Sequence, residues 1–171
     1  MPPETIRHHD TGHDLTHYFG RLLVTCPNCS GQALILPTPG TPYDQESHYD
    51  AVFHPRRLTC TRCAAVAGWS MRREGKVGFG VCVSGGTSDP FFGHPLWLQT
   101  PCAGHVLWAY NGQHVEDLRA YVAAGLRERG ETRANSSMFS RLPLWMKAAD
   151  NRGQVLAGLA KLHDLTACVR R

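Results

Sequence analysis

For its first two thirds the chain places hydrophobic residues in runs of three to five, broken by glycine, proline and paired cysteines, and a helical period sets in only after Asn111. Leu22-Leu23-Val24-Thr25 and Ala33-Leu34-Ile35-Leu36 flank one tight turn, and the stretches from Val52-Phe53 to Thr59 and from Val66 to Met71 flank another. Short apolar runs bounded by turn residues read as strands, so each pair predicts a hairpin. Val77, Phe79, Val81 and Val83 alternate with Gly78, Gly80 and Cys82, a period of two that predicts a strand entered through Glu74-Gly75-Lys76 and ended by Gly85-Gly86 and Asp89-Pro90. Leu96 to Gln99 and Val106 to Tyr110 predict a further hairpin.

Beyond it, Asn111 suits a helix N-cap, Val115, Leu118, Val122 and Leu126 share one helical face, and Gly130 stands where a glycine would stop the helix. A short helix is expected around Met138 to Leu142, ended or restarted by Pro143, and a last one from about Arg152 to Leu165 with Val155, Leu159 and Leu162 inward. The expected fold is α+β: a ribbon of hairpins, additional antiparallel strands and two to three C-terminal helices.

The turns of the first two hairpins carry the chemistry. Cys26-Pro27-Asn28-Cys29 and Cys60-Thr61-Arg62-Cys63 each set two thiols at metal-ligand spacing, and together they complete a tetrahedral four-sulfur shell. The expectation is one structural zinc ion per chain on Cys26, Cys29, Cys60 and Cys63; a redox pair or unrelated buried thiols are the alternatives. Ser30-Gly31 supplies a residue able to take positive φ where the chain leaves the first pair, whereas Ala64-Ala65 follows the second. The interval from Cys29 to Cys60 is longer than a ribbon needs, so an insertion is expected at about 37–51, opening with Pro37-Thr38-Pro39-Gly40-Thr41-Pro42. This divides the chain into a His-rich arm (1–20), the ribbon (21–71) and a hairpin and helical part (72–171) that forms one compact domain with it.

Seven cysteines, an odd number with four in ligand spacing, suit a reducing compartment. No apolar run approaches the roughly 20 residues of a membrane span, so a soluble, cytoplasmic protein without membrane contact is expected. The net charge of +4 is segregated: residues 1 to 51 carry −4, 52 to 76 carry +5, 77 to 118 carry −3 and 119 to 171 carry +6. Such basic blocks are an electrostatic footprint for phosphate backbones, and equally a solvated surface. Arg56, Arg57, Arg62, Arg72 and Arg73 beside the second cysteine pair, with Arg141, Lys147 and Arg152 near the C-terminus, are the candidate phosphate contacts.

Tyr18-Phe19-Gly20 through Thr25-Cys26 is echoed by Phe91-Phe92-Gly93 through Thr100-Pro101-Cys102, so Cys102-Ala103-Gly104-His105 reads as a degenerate knuckle. Cys102 and His105 are expected to be packed or solvated; the alternative is a second metal site in which Cys82 or His94 joins them. His8, His9, His13 and His17 with Asp10 and Asp14 are the densest ligand-capable run outside the cysteines; His9, His13 and His17 would share a face if helical, although Gly12 favours a surface arm. Trp97 and Trp108 are expected in the core, with an exposed stacking surface as the alternative. The sequence shows no G-x-S-x-G, G-x-x-x-x-G-K-[ST] or H-E-x-x-H motif, and a four-thiolate shell leaves zinc no open position for water. An enzyme is therefore not expected.

Phe91 to Cys102, continuing through Leu107-Trp108-Ala109-Tyr110-Asn111, and Ser140-Arg141-Leu142-Pro143-Leu144-Trp145-Met146-Lys147 with Ala149, Asn151 and Arg152 resemble a set of uncharacterised bacterial proteins labelled transcription factor IIB-type zinc-ribbon-containing. Both cysteine pairs fall where that group's ribbon would lie. The resemblance implies a zinc ribbon, but no cyclin-like repeats follow it, so it does not imply an initiation factor. That group often has paired cysteines after the Thr-Pro turn, where this chain has Cys102-Ala103. The expected function is binding of nucleic acid or of a nucleic-acid-associated assembly. A protein-protein adaptor is the alternative, and a metal-dependent enzyme using the His-rich N-terminus is third.

Overall fold

Both cysteine turns close hairpins of a single antiparallel sheet in the computed structural model, which describes residues 7 to 71, 85 to 128 and 137 to 167. Strands β2 (Leu22–Thr25), β3 (Gln32–Pro37), β4 (Arg56–Thr59) and β5 (Val66–Trp69) lie in sequence order. The register sets Leu22 opposite Ile35, Leu34 opposite Thr59 and Arg57 opposite Gly68. Leu22, Val24, Ala33, Ile35 and Leu58 are buried on this sheet. Helix α1 (His48–Phe53) interrupts the β3–β4 connection, so the insertion contains a helix and Val52-Phe53 belong to it rather than to a strand. Ser47 makes the difference: its side chain accepts the Asp50 amide at 3.2 Å and starts a turn that buries Ala51 and Val52.

Strands β6 (Leu98–Cys102) and β7 (His105–Ala109) form a second sheet, closed by Ala103 and Gly104 with φ of 47° and 76°, the pair of positive values a two-residue type I′ hairpin turn needs. Helix α2 (Gly112–Ala123) follows, then β8 (Leu126–Glu128). Leu126 is thus not on the helix. The helix stops at Ala123 because the next residues pair in parallel with β1 (Arg7–His9), a partner from the far end of the chain that no local pattern can reveal. A 3-10 turn (Phe139–Arg141), the short helix α3 (Leu144–Lys147) and the long helix α4 (Arg152–Ala167) complete the chain. The alternating stretch Val77 to Val83 and the stop at Gly130 lie outside the described residues.

The β6–β7 hairpin joins the ribbon to the helices. The Leu23 amide donates to the Tyr110 carbonyl at 2.9 Å, and the Leu23 carbonyl accepts from the Trp97 amide at 2.9 Å. Val155, Leu159 and Leu162 of α4 are fully buried, as their spacing predicts. Gly158 lets α4 lie against the hairpin, since a Cβ there would sit 2.8 Å from Leu107 Cδ2 and 3.5 Å from Cys102 Sγ. Trp97 and Trp108 are half-buried and pack against this core.

Asn111 fastens α2. Its Oδ1 accepts the His114 amide at 2.9 Å, while its Nδ2 donates to the Tyr18 and Arg21 carbonyls at 2.9 and 2.8 Å. Replacing Asn111 with Ala removes a cap worth about 1 kcal/mol and strands two carbonyls at about 1–3 kcal/mol each. The expected loss is about 3–7 kcal/mol in denaturant unfolding, and Asn111→Asp, which keeps the acceptor, should recover only the cap.

His114 is fully enclosed, stacked on Tyr18 with ring centroids 4.3 Å apart, and its Nδ1 accepts the Tyr110 amide at 3.2 Å. Burial lowers its pKa from 6.5 to about 3. The unfolded chain therefore binds a proton between those values that the folded one refuses, so the stabilisation is complete above about pH 6.5 and falls as the pH drops toward 3. His114→Gln, which cannot titrate, should flatten the pH dependence of the unfolding free energy in that window.

Candidate metal centre

In each cysteine turn the backbone folds back on itself through its own hydrogen bonds. The Cys26 amide donates to the Gly31 carbonyl at 2.7 Å and the Cys60 amide to the Ala65 carbonyl at 2.9 Å. The residue directly after each second cysteine, Ser30 and Ala64, takes φ of 56°. It is Ser30, not Gly31, that turns the first knuckle, and Ala64 adopts the same conformation at a cost of about 1–2 kcal/mol. Gly31 has another role: a Cβ there would lie 3.0 Å from Arg62 Cδ and 3.3 Å from Cys29 Sγ, so its bareness lets the two knuckles approach.

The β3–β4 pairing brings the knuckles side by side. Cys26 Sγ lies 3.6 Å from Cys63 Sγ, Cys29 Sγ lies 3.7 Å from Cys60 Sγ, and all four sulfurs fall within 4.8 Å of one another. A tetrahedron with metal–sulfur bonds of about 2.3 Å has edges of about 3.8 Å. The four side chains thus fit one tetrahedral metal ion, with the ligand set zinc takes in structural sites. Cys26 and Cys60 are buried and Cys63 is exposed, so the ion would sit at the end of the sheet.

The backbone prepares the sulfurs for charge. The Cys63 amide, with that of Arg62 adding to it against the effect of burial, draws the Cys60 thiol down to about 7. At Cys63 the Ala65 amide pulls the same way, but desolvation and the three neighbouring sulfurs prevail and push it up to about 12. Thiols this close compete for negative charge until a cation supplies the balance.

The other candidate residues are scattered. Arg56 is a correction: it is wholly buried, and cannot contact phosphate. Its guanidinium donates to the carbonyls of Phe19 at 2.8 Å, Ala51 at 2.6 Å and Asp50 at 3.3 Å, and stands 4.6 Å from the Phe91 ring centroid. Burial lowers its pKa, yet an arginine remains charged, and here it satisfies carbonyls at the end of α1. Arg57, Arg62 and Arg141 are exposed, Arg152 is half-buried, and Lys147 donates to the Ser140 carbonyl at 2.8 Å. Arg72 and Arg73 lie outside the described residues, as does Cys82.

Cys102 and His105 face each other across the hairpin turn but serve packing: Cys102 is buried beside Gly158, its thiol pKa raised by burial, and His105 stacks on Trp145 at 4.8 Å. His94 stacks on Phe92, its amide donating to Asp89. Among the described residues, Cys102, His94 and His105 do not assemble a group of three ligands. The histidine arm is also not a helix face, since Arg7–His9 form β1; His13 and His17 instead approach Glu46. Glu46 lies in the insertion, and nothing in its sequence context marks it as a partner.

No protein-family model, curated protein or solved structure matches the chain. The four-cysteine cluster between antiparallel strands makes the site zinc-ribbon-like on its geometry alone. Purified protein is expected to carry one equivalent of zinc by elemental analysis, released on acidification as protons compete for the thiolates. Cys60→Ser should abolish stoichiometric zinc and unfold the ribbon hairpins, read as lost amide protection over residues 22–69; retention of either would refute the site.

Proposed function

We propose that the chain is a structural-zinc ribbon protein that binds nucleic acid, or an assembly built on it, through phosphate contacts at the second knuckle. The observation that carries this reading is the exposure of Arg57 and Arg62 on either side of Cys60, one on β4 and one within the metal-binding turn. The metal would hold both at fixed positions, and an arginine in a rigid setting loses less entropy on meeting a phosphate. Arg141 is a third exposed base, at the edge of a groove of about 700 Å³ bordered by Trp108, Trp145 and Leu142, where aromatic faces suit an unstacked base. A closed four-thiolate shell supplies no metal-bound water, so the ribbon's role is binding, not catalysis. The resemblance to bacterial zinc-ribbon proteins of the transcription factor IIB type belongs to the same proposal.

Exposed apolar side chains favour a second reading. Val66 of the ribbon is 58% exposed and Leu144 of α3 is 84% exposed, as on a surface that docks a protein. Salt titration of binding to single-stranded DNA, double-stranded DNA and structured RNA separates the two. Affinity should fall steeply with salt, and Arg57→Glu and Arg62→Glu should each weaken it while lowering the magnitude of the salt slope by about one unit or more. Arg56 must be left intact in such variants, because its loss would disturb the fold. No binding at low salt, or binding indifferent to both reversals, would replace this reading with the adaptor.

A further inference from the structure

Outside the ribbon, three ligand-capable side chains come together where the N-terminal arm meets the insertion. His13, His17 and Glu46 each offer one atom, and these atoms lie within 4.8 Å of one another. The three come from separate devices. Asp14 caps the 3-10 turn Leu15–Tyr18, its carboxylate accepting the Thr16 amide at 2.9 Å, and this turn carries His17. The His13 carbonyl accepts the Met138 amide at 2.8 Å, which fixes the chain just before it. Asp44 accepts the Glu46 amide at 3.0 Å while its own amide donates to Asp50, so the loop that holds Glu46 is itself braced against α1.

The geometry points to a second metal site: a divalent transition-metal ion bound by His13, His17 and Glu46, with its remaining positions open. Two imidazoles and a carboxylate are the ligand set of open zinc sites, in contrast to the closed four-thiolate shell of the ribbon. The His13 ring can be oriented from behind, because Nδ1 lies 3.1 Å from Thr11 Oγ1; with the proton on Nδ1, Nε2 presents its lone pair. His13 and His17 are stacked with centroids 3.9 Å apart and planes 13° from parallel. Their nitrogens must swing to converge, since ligand–ligand edges around such an ion are about 3.4 Å. That adjustment is available to side chains of which His13 and Glu46 are exposed and His17 half-buried.

What lies beside the site gives the open positions somewhere to lead. His17 is also on the wall of a cavity of about 600 Å³, shared with Arg21, Gln45, Asn111 and Gln113. Gln45 is the chain neighbour of Glu46. An ion at the rim would therefore face a pocket lined by the exposed Arg21 guanidinium and the exposed Gln45 amide, a lining suited to a small anionic or polar ligand. The Asn111 and Gln113 amides on its wall are engaged with Tyr18, Arg21 and Asp117.

The test is a cobalt(II) titration of the zinc-loaded full chain, with uptake followed by visible absorption and calorimetry. Binding beyond the ribbon ion should be one equivalent, with d–d bands and no thiolate-to-cobalt charge transfer, the signature of nitrogen and oxygen ligands. His17→Ala and Glu46→Gln should each weaken that equivalent by at least about 10-fold, the size of effect that even outer-shell changes produce, and leave the ribbon zinc in place. His9→Ala and His48→Ala, neighbours outside the trio, should not. Failure to bind a further equivalent, thiolate charge-transfer bands from it, insensitivity to His17→Ala and Glu46→Gln, or equal loss in His9→Ala and His48→Ala would overturn the site. None of these outcomes bears on whether the ribbon contacts nucleic acid.

Discussion

Four sulfurs within 4.8 Å of one another are an unfavourable arrangement for thiolates unless a cation lies among them, and this one constraint organises the N-terminal half of the protein. It demands that the turns after β2 and β4 end at the same point in space. The β3–β4 ladder meets that demand, since pairing Leu34 with Thr59 brings the start of β3 next to the end of β4. It also accounts for the details of each turn: amides aimed at sulfur, a residue at positive φ immediately beyond, and a bare Gly31 where the knuckles touch. A sheet of strands four to six residues long has little core of its own, and an ion shared by its two turns would compensate for that.

Away from the metal, the ribbon is held to the rest of the molecule by backbone pairing and by a few polar side chains that each satisfy several partners. Leu23 connects to both Tyr110 and Trp97, Asn111 connects α2 to the turn before β2, and Asp89 accepts the amides of Phe91, Phe92 and His94. The last arrangement aims Phe91 at Phe19, Trp69 and Arg56. Buried polar groups of this kind add little net energy when paired and cost much when orphaned, so they specify one arrangement more than they stabilise it.

Arg56 shows how burial overrides charge pattern. In the sequence it belongs with Arg57 and Arg62 to a basic block of +5, yet it spends its donors on three carbonyls inside the fold. Neighbouring β-strand residues point to opposite faces, so of two adjacent arginines one is buried and one exposed, and a count of charge cannot tell which. The electrostatic surface is therefore thinner than the sequence implies. Among the described residues no helix is long and apolar enough to cross a membrane.

The sequence by itself determined the features whose cause is local. Cysteine spacing announced the metal site, Asn111 announced the start of α2, and the period of Val155, Leu159 and Leu162 announced the buried face of α4, because ligand turns, caps and helix faces are set within a few residues. Tertiary structure decided what depends on distant partners. Leu126 left the helix for a strand because β1 lay alongside, and Val52-Phe53 entered a helix that buries Ala51 and Val52. His13 and His17 met Glu46 rather than His9, since their approach is made by a loop packing against the arm and not by any repeat within it. Proximity across the chain is a product of packing, and a linear pattern carries no record of it.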